Sequence, residues 1–306
     1  MATTLAAAVP TMARAQLTDG DKLPTPGARA SAMGGTFVGV DDDATAAVSN
    51  PAGVQLLVKP QAYFEFTRTA GEPVQAFTML TTNRPSFVSF AAPLGDRVSI
   101  AITHNEQYFV SSDGVKPCPG CAAPHLELSS ESYSSSLAVY AGAGWRVGAT
   151  ISHDDVECDG VSPVCAGGSP HGASLTTGVL WQGSAVSIGA SGVVASEQSP
   201  VWNRFSIGGS VRTSPHFLVA ADLDTIQIGH QSGVYVTEPH VGAELEIPAG
   251  GVSWYLRGGA FKGFGADSIT DRAATVGAGF AGGHLQADIA YVSQRHRVVV
   301  STAVRF

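Results

Sequence analysis

Across residues 61–306 apolar and polar side chains alternate with a period of two, the repeat of a strand whose two faces meet different surroundings. At the end of the chain Val298, Val300, Thr302, Val304 and Phe306 share one face, and Arg297, Val299, Ser301, Ala303 and Arg305 share the other. Upstream, Leu285, Ala287, Ile289 and Tyr291 oppose Gln286, Asp288 and Ala290, while Val241, Ala243, Leu245 and Ile247 oppose Gly242, Glu244 and Glu246. The pattern predicts about 14 strands, an even number as bacterial membrane barrels require. The first seven spans are 61–69, 85–92, 97–109, 131–142, 145–153, 172–181 and 184–196. The others are 204–213, 217–228, 234–247, 251–261, 272–281, 284–294 and 296–306.

The links between these spans fall into two classes that mostly alternate. Tight ones at 93–96, 143–144, 182–183, 214–216, 248–250 and 282–283 carry the Gly and Pro of hairpin turns. Long ones cover 70–84, 110–130, 154–171 and 262–271. Outer-membrane barrels have short periplasmic turns and longer external loops, which places both chain ends on the periplasmic side. Two places strain the scheme: 70–84 has room for more strand, and the junction at Arg295 is short for an external loop.

The polar face carries Arg97, Arg146, Arg212, Asp222, Asp224, Glu244 and Arg257. A soluble sandwich would turn these to water, whereas a barrel in lipid turns them to a wet lumen. Alternation alone does not choose between the two. The regular alternation of link length does, and no blade-length repeat points to a propeller. Composition agrees. Only 14% of the 306 residues are charged, against about 25% in a soluble domain. Mean hydropathy is +0.14, yet no run approaches the ~20 apolar residues of a membrane helix. The fold class expected is therefore all-β, a transmembrane antiparallel barrel over 61–306 with outer-membrane lipid around it. The net charge of −8 leaves no basic patch for nucleic acid.

Residues 27–57 depart from this pattern. They read GARASAMGGTFVGVDDDATAAVSNPAGVQLL, rich in Ala and Gly around an acidic run. The pieces Gly27-Ala28-Arg29-Ala30, Met33-Gly34-Gly35, Asp42-Asp43-Ala44 and Asn50-Pro51-Ala52-Gly53 stand in the order seen in the N-terminal luminal plug, or hatch, of the FadL/TodX family of outer-membrane hydrophobic-compound transporters, and the segment resembles that plug. PorV-type barrels are similar. Pro85 to Asn105, with the turn Pro93-Leu94-Gly95-Asp96, also resembles the family, and Phe306 looks like the terminal aromatic read by the barrel-assembly machinery. The resemblance implies a plug within 16–60, passage of small hydrophobic molecules, a ligand site in the lumen beside the plug, and working roles for Gly34, Gly35, Asn50, Pro51 and Ala52.

Physical chemistry gives such a plug a purpose, because a barrel of about 14 strands is too wide for its own side chains to fill. Gly34 and Gly35 permit close backbone packing, Asn50 can bond its own backbone, and Pro51 pre-sets a turn. For Asp41, Asp42 and Asp43 two readings stand: pairing with luminal arginines, or a solvated loop. An apolar path would need apolar residues on the polar face, for which Tyr63, Tyr140, Leu180, Val193, Tyr255 and Phe261 are candidates. A PorV-like barrel would instead offer its long loops to secretion partner proteins, and a purely structural barrel is a third reading.

Residues 1–15 end in the small-x-small exit Ala13-Arg14-Ala15 and read as a signal-peptide remnant lacking its basic start, or as an Ala-rich tail. Cys118, Cys121, Cys158 and Cys165 sit in two of the long links, and an exported chain would pair them locally as disulfides. The Cys-x-x-Cys spacing also suits a zinc knuckle with His125, His153 or His171, although no metal ligand set is assigned. Gly277, Gly279 and Gly282 match a dinucleotide fingerprint in letters only, because a strand follows where a helix is needed. No catalytic constellation and no cofactor are expected.

Overall fold

The alternating sequence folds as alternation requires. The computed structural model describes residues 26–69, 85–111, 126–160, 171–196, 199, 203–228, 234–265 and 272–306. Its strands are β1 (Gln61–Thr69), β2 (Phe87–Pro93), β3 (Val98–Ser111), β4 (Leu126–Gly142), β5 (Trp145–Gly160), β6 (His171–Gln182), β7 (Val186–Ala195) and β8 (Arg204–Ser214). Then follow β9 (Phe217–Ile228), β10 (Val234–Ala249), β11 (Val252–Lys262), β12 (Phe264–Gly265), β13 (Arg272–Gly282), β14 (Leu285–Val292) and β15 (Arg297–Arg305).

Sequential strands pair antiparallel, and β15 closes the ring on β1 with Gln61 opposite Arg305 and Thr69 opposite Arg297. β11 and β12 are one strand with a break. Both pair with β10 in the same register, Phe261 opposite His240 and Phe264 opposite Thr237. Between these pairs stand Pro239 on β10 and Gly263 on the other strand. Proline has no N–H to donate, which accounts for the interruption. The closed barrel thus has the fourteen spanning strands that the sequence predicts.

The strand ends correct the reading in detail. Residues 126–130 and 154–160, expected as loop, continue the ladder, with Leu126 opposite Gly160 and Glu131 opposite Asp155. The tight link at Arg295 is a 3-10 turn, Gln294–His296, entered after β14 has already ended at Val292. Arg97, expected on the luminal face, lies exposed in the turn before β3, where its carbonyl accepts from Tyr140 N. The link 70–84 lies outside the described residues, as do Cys118, Cys121, Cys165 and the side chain of Cys158.

Burial settles which face is inside. Ile151, Val194 and Ile102 are 69%, 67% and 60% exposed, whereas Ser99, Ser130 and Asp154 are fully buried. A water-soluble protein does not turn a whole belt of large apolar side chains outward. Aromatic residues mark both margins of the belt. Trp145 and Trp254 stand at the tight-turn end, and Tyr133, Phe205, Tyr235 and Phe264 at the other. Such girdles flank the lipid-facing band of membrane barrels. Among the described residues no helix is long and apolar enough to cross a membrane. Unboiled protein should therefore run faster than boiled protein on a denaturing gel, since a closed ring of strands resists detergent until heated. Mobility unaffected by heating would overturn the closed barrel.

Candidate functional site

The N-terminal segment is short-range structure throughout: helix α1 (Ala28–Ala32), helix α2 (Ala46–Ser49) and a 3-10 turn, Pro51–Leu56. Ala-rich composition suits it, because small side chains let three backbone turns pack against a wall at close range. Gly34 and Gly35 take φ of 73° and 85°, which L side chains rarely adopt. A Cβ on Gly34 would also stand 2.7 Å from Ala260 N and 2.8 Å from Val241 O. Both requirements fall on the Gly-Gly pair singled out in the sequence.

Asn50 ties three pieces of chain together. Its Oδ1 accepts from Ala52 N at 3.3 Å, the local turn expected of Asn-Pro. Its Nδ2 donates to Val38 O at 2.9 Å and to Val179 O on β6 at 3.2 Å. The wall makes room for it: a Cβ on Gly178 would overlap Asn50 Oδ1. Pro51 and Ala52 are buried with it.

Around the ring, hydroxyls on inward-facing strand positions donate to carbonyls of the segment. Ser89 reaches Ala44 O at 3.1 Å, Thr150 reaches Ala47 O at 2.6 Å, Ser191 reaches Ser49 O at 2.6 Å, Ser210 reaches Gly39 O at 3.2 Å and Thr275 reaches Ala32 O at 2.7 Å. Amides are met by acceptors. Asp222 takes Phe37 N at 2.6 Å and Val38 N at 2.9 Å, Gln61 Oε1 takes Ala44 N at 2.8 Å, and Glu65 takes Gly27 N. Irregular backbone away from water must find partners somewhere, and here the wall supplies them.

One sector is charged. Arg29 holds Glu244 with two bonds, Nε to Oε2 at 2.8 Å and Nη2 to Oε1 at 3.0 Å. Glu244 Oε2 also accepts from Arg257 Nε at 2.7 Å, and Arg257 Nη1 donates to Asp288 at 2.6 Å. Asp42 pairs with Arg29 from the segment side. Burial pulls the Arg29 guanidinium down, but Asp42 and Glu244 more than offset this and hold it above its usual range. Burial pushes the Asp41 carboxyl well up, against the opposing effect of the Ser49 hydroxyl that it accepts at 2.7 Å.

The acidic run therefore behaves differently from either expectation. Asp42 pairs with Arg29 of the same segment, and Asp43 accepts from Thr45 N at 2.8 Å and Thr45 Oγ1 at 2.5 Å. The pairing between segment and wall has the opposite polarity to the one expected, with the segment's Arg29 meeting the wall's Glu244. Of the polar-face candidates, Asp222, Glu244, Arg257 and Arg146 meet the segment or its partners. Arg146 donates to Gln55 Oε1 at 2.8 Å, and Asp224 lies 3.6 Å from His240 Nε2. Arg212 is exposed near the β8–β9 turn.

Sequence reading missed Gln61, Glu65 and Asp288 as partners, and the serine ladder as a class. Period-two Ser on a polar face was the available signal. Among the apolar candidates Tyr63, Leu180 and Val193 are buried on the inner side, where Tyr63 meets Phe87 edge-on at 5.9 Å. Tyr140, Tyr255 and Phe261 are only partly buried.

By sequence the chain matches no family model and no curated protein. By structure it is similar to the Ralstonia pickettii toluene transporter TbuX (TM-score 0.69, 15% identity), over 93% of this chain and 99% of that one. The Pseudomonas putida toluene transporter TodX superposes with TM-score 0.65 at 13% identity, over 93% and 99% of the two chains. A Pseudomonas aeruginosa FadL homologue gives TM-score 0.65 at 11% identity, over 94% and 100%. This chain carries the fold of the FadL/TodX-type barrels.

Proposed function

We propose that the chain is an outer-membrane channel for small hydrophobic molecules, with residues 16–60 as a luminal plug and 61–306 as the barrel. The observation that carries this reading is the belt of hydrogen bonds between inward-facing Ser, Thr, Asp and Glu side chains and the backbone of 27–57, in a barrel whose structural neighbours include toluene transporters. Gly34, Gly35, Asn50, Pro51 and Ala52 shape the plug, Asp42 and Asp43 brace it internally, and Tyr63, Phe87, Leu180 and Val193 offer apolar surface beside it. The tight turns face the periplasm and the long links face outward. Phe306, 61% exposed at the chain end, is the handle for the assembly machinery. Residues 1–15 serve export, and the cysteines close as local disulfides, Cys118 with Cys121, and Cys158, near the outer end of β5, with Cys165.

Expression in a Gram-negative host stripped of its own hydrophobic-compound channels should raise the initial uptake rate of a monoaromatic hydrocarbon several-fold, without raising that of a small sugar. Equal uptake with and without the chain would sink the transport reading. If the barrel instead captured secretion components through its loops, the PorV-like role would replace it.

A further inference from the structure

A second cluster lies on the outer surface, away from the lumen. On β5 the buried Ser152 and Asp154 point inward, so His153 and Asp155 point out. The β5–β6 register sets Asp155 directly opposite His171 at the last described pair of that ladder, with His153 two residues along on the same face. Asp155 Oδ1 is 2.5 Å from His171 Nδ1 and 3.2 Å from His153 Nε2. The two imidazole rings are nearly parallel, 11° apart with centroids at 6.3 Å, and the ligand atoms of all three residues lie within 4.8 Å of one another. Among the described residues this is the one group of three such side chains that converges in this way.

We propose that His153, Asp155 and His171 form a binding site for a divalent transition-metal ion of zinc's class. Two imidazoles and one carboxylate are a three-ligand set that leaves a position open to water or an outside donor. Imidazole favours Zn, Cu and Ni, whereas Mg and Ca prefer all-oxygen shells. Metal–ligand bonds of about 2.0–2.2 Å require rotations of the two exposed histidines that open the short Asp155–His171 contact and close the wider separations. Position also suits an ion arriving from water. His153 is opposite Tyr133, in the aromatic girdle at the end of the barrel away from the tight turns, and the His153 and His171 side chains are both more than half exposed. Bound there, the ion clamps β5 to β6 where their described pairing stops.

The test is calorimetric titration of the chelator-treated full chain in detergent with zinc chloride, with magnesium chloride as comparator. One zinc per chain and no magnesium response are expected. H153Q or H171Q alone should weaken zinc binding by at least about tenfold, and the double variant should abolish it while keeping heat-modifiable mobility. Cobalt should bind without the thiolate charge-transfer band that the four cysteines would produce. No zinc binding would mean that the cluster is a hydrogen-bonded carboxylate and nothing more. Zinc binding that survives in the double variant, or a thiolate band, would overturn the site equally.

Discussion

Deleting residues 27–57 should turn a nearly closed barrel into an open pore, with conductance in planar bilayers rising on the order of tenfold or more. The segment's backbone is bonded to the wall from Glu65 on β1 round to Thr275 on β13, and the proposed plug rests on that belt of bonds. What remains after deletion is a bore lined by Ser89, Thr150, Ser191, Ser210 and Thr275, hydroxyls that water solvates as readily as the lost carbonyls did. The barrel itself should persist, because its ladder does not run through the segment. Heat-modifiable mobility checks this. A milder variant, Gly178→Leu, drives a side chain into the position of Asn50 and should raise conductance in the same direction. Background conductance in both variants, with the barrel folded, would show that 27–57 does not obstruct the lumen.

Glu244→Gln should destabilise the protein by about 1.5–3 kcal/mol, the worth of hydrogen bonds made to a charged group. Glu244 is the shared acceptor of Arg29 and Arg257, and both guanidiniums are buried. Removing its charge takes away the one carboxylate that both guanidiniums share and leaves Arg29 to Asp42 and Arg257 to Asp288. Glu246→Gln, two residues along on the same face but only partly buried, should cost under about 1 kcal/mol. Denaturant unfolding in detergent measures both. Near-equal midpoints for the two variants would show that the buried network does not hold the segment to the wall.

The fold was largely legible because the period of two is written into nearly every strand. The misfit at Arg295 resolves at the strand ends, because β14 stops at Val292, short of the 294 expected for it. What escaped was tertiary. Nothing local marks Pro239 as the residue beside a break, since the interruption appears only when β10 meets its neighbour. The charged sector was legible as a set of polar-face residues and illegible as a network. Arg29 sits 215 positions from Glu244, and period-two reasoning assigns faces but not heights. The acidic run misled for a related reason. Three adjacent aspartates look like a donor of charge to the wall, but Thr45, Ser49 and Arg29 are nearer in the chain and capture them first.

The pairing of β15 with β1 has a kinetic meaning. Every other junction in the ring joins neighbours in sequence and can form as a hairpin, whereas this seam joins the two ends of the barrel sequence. Loop-closure entropy makes it the slowest contact to form and the natural last event. Residues 27–57 immediately precede β1, so they are already at the seam when it shuts. An unclosed sheet would curl round them, and the serines along its inner face would register against their carbonyls one strand at a time. On this account the segment serves as a mandrel for the barrel, and variants that weaken its grip should slow assembly even where the finished ring is equally stable.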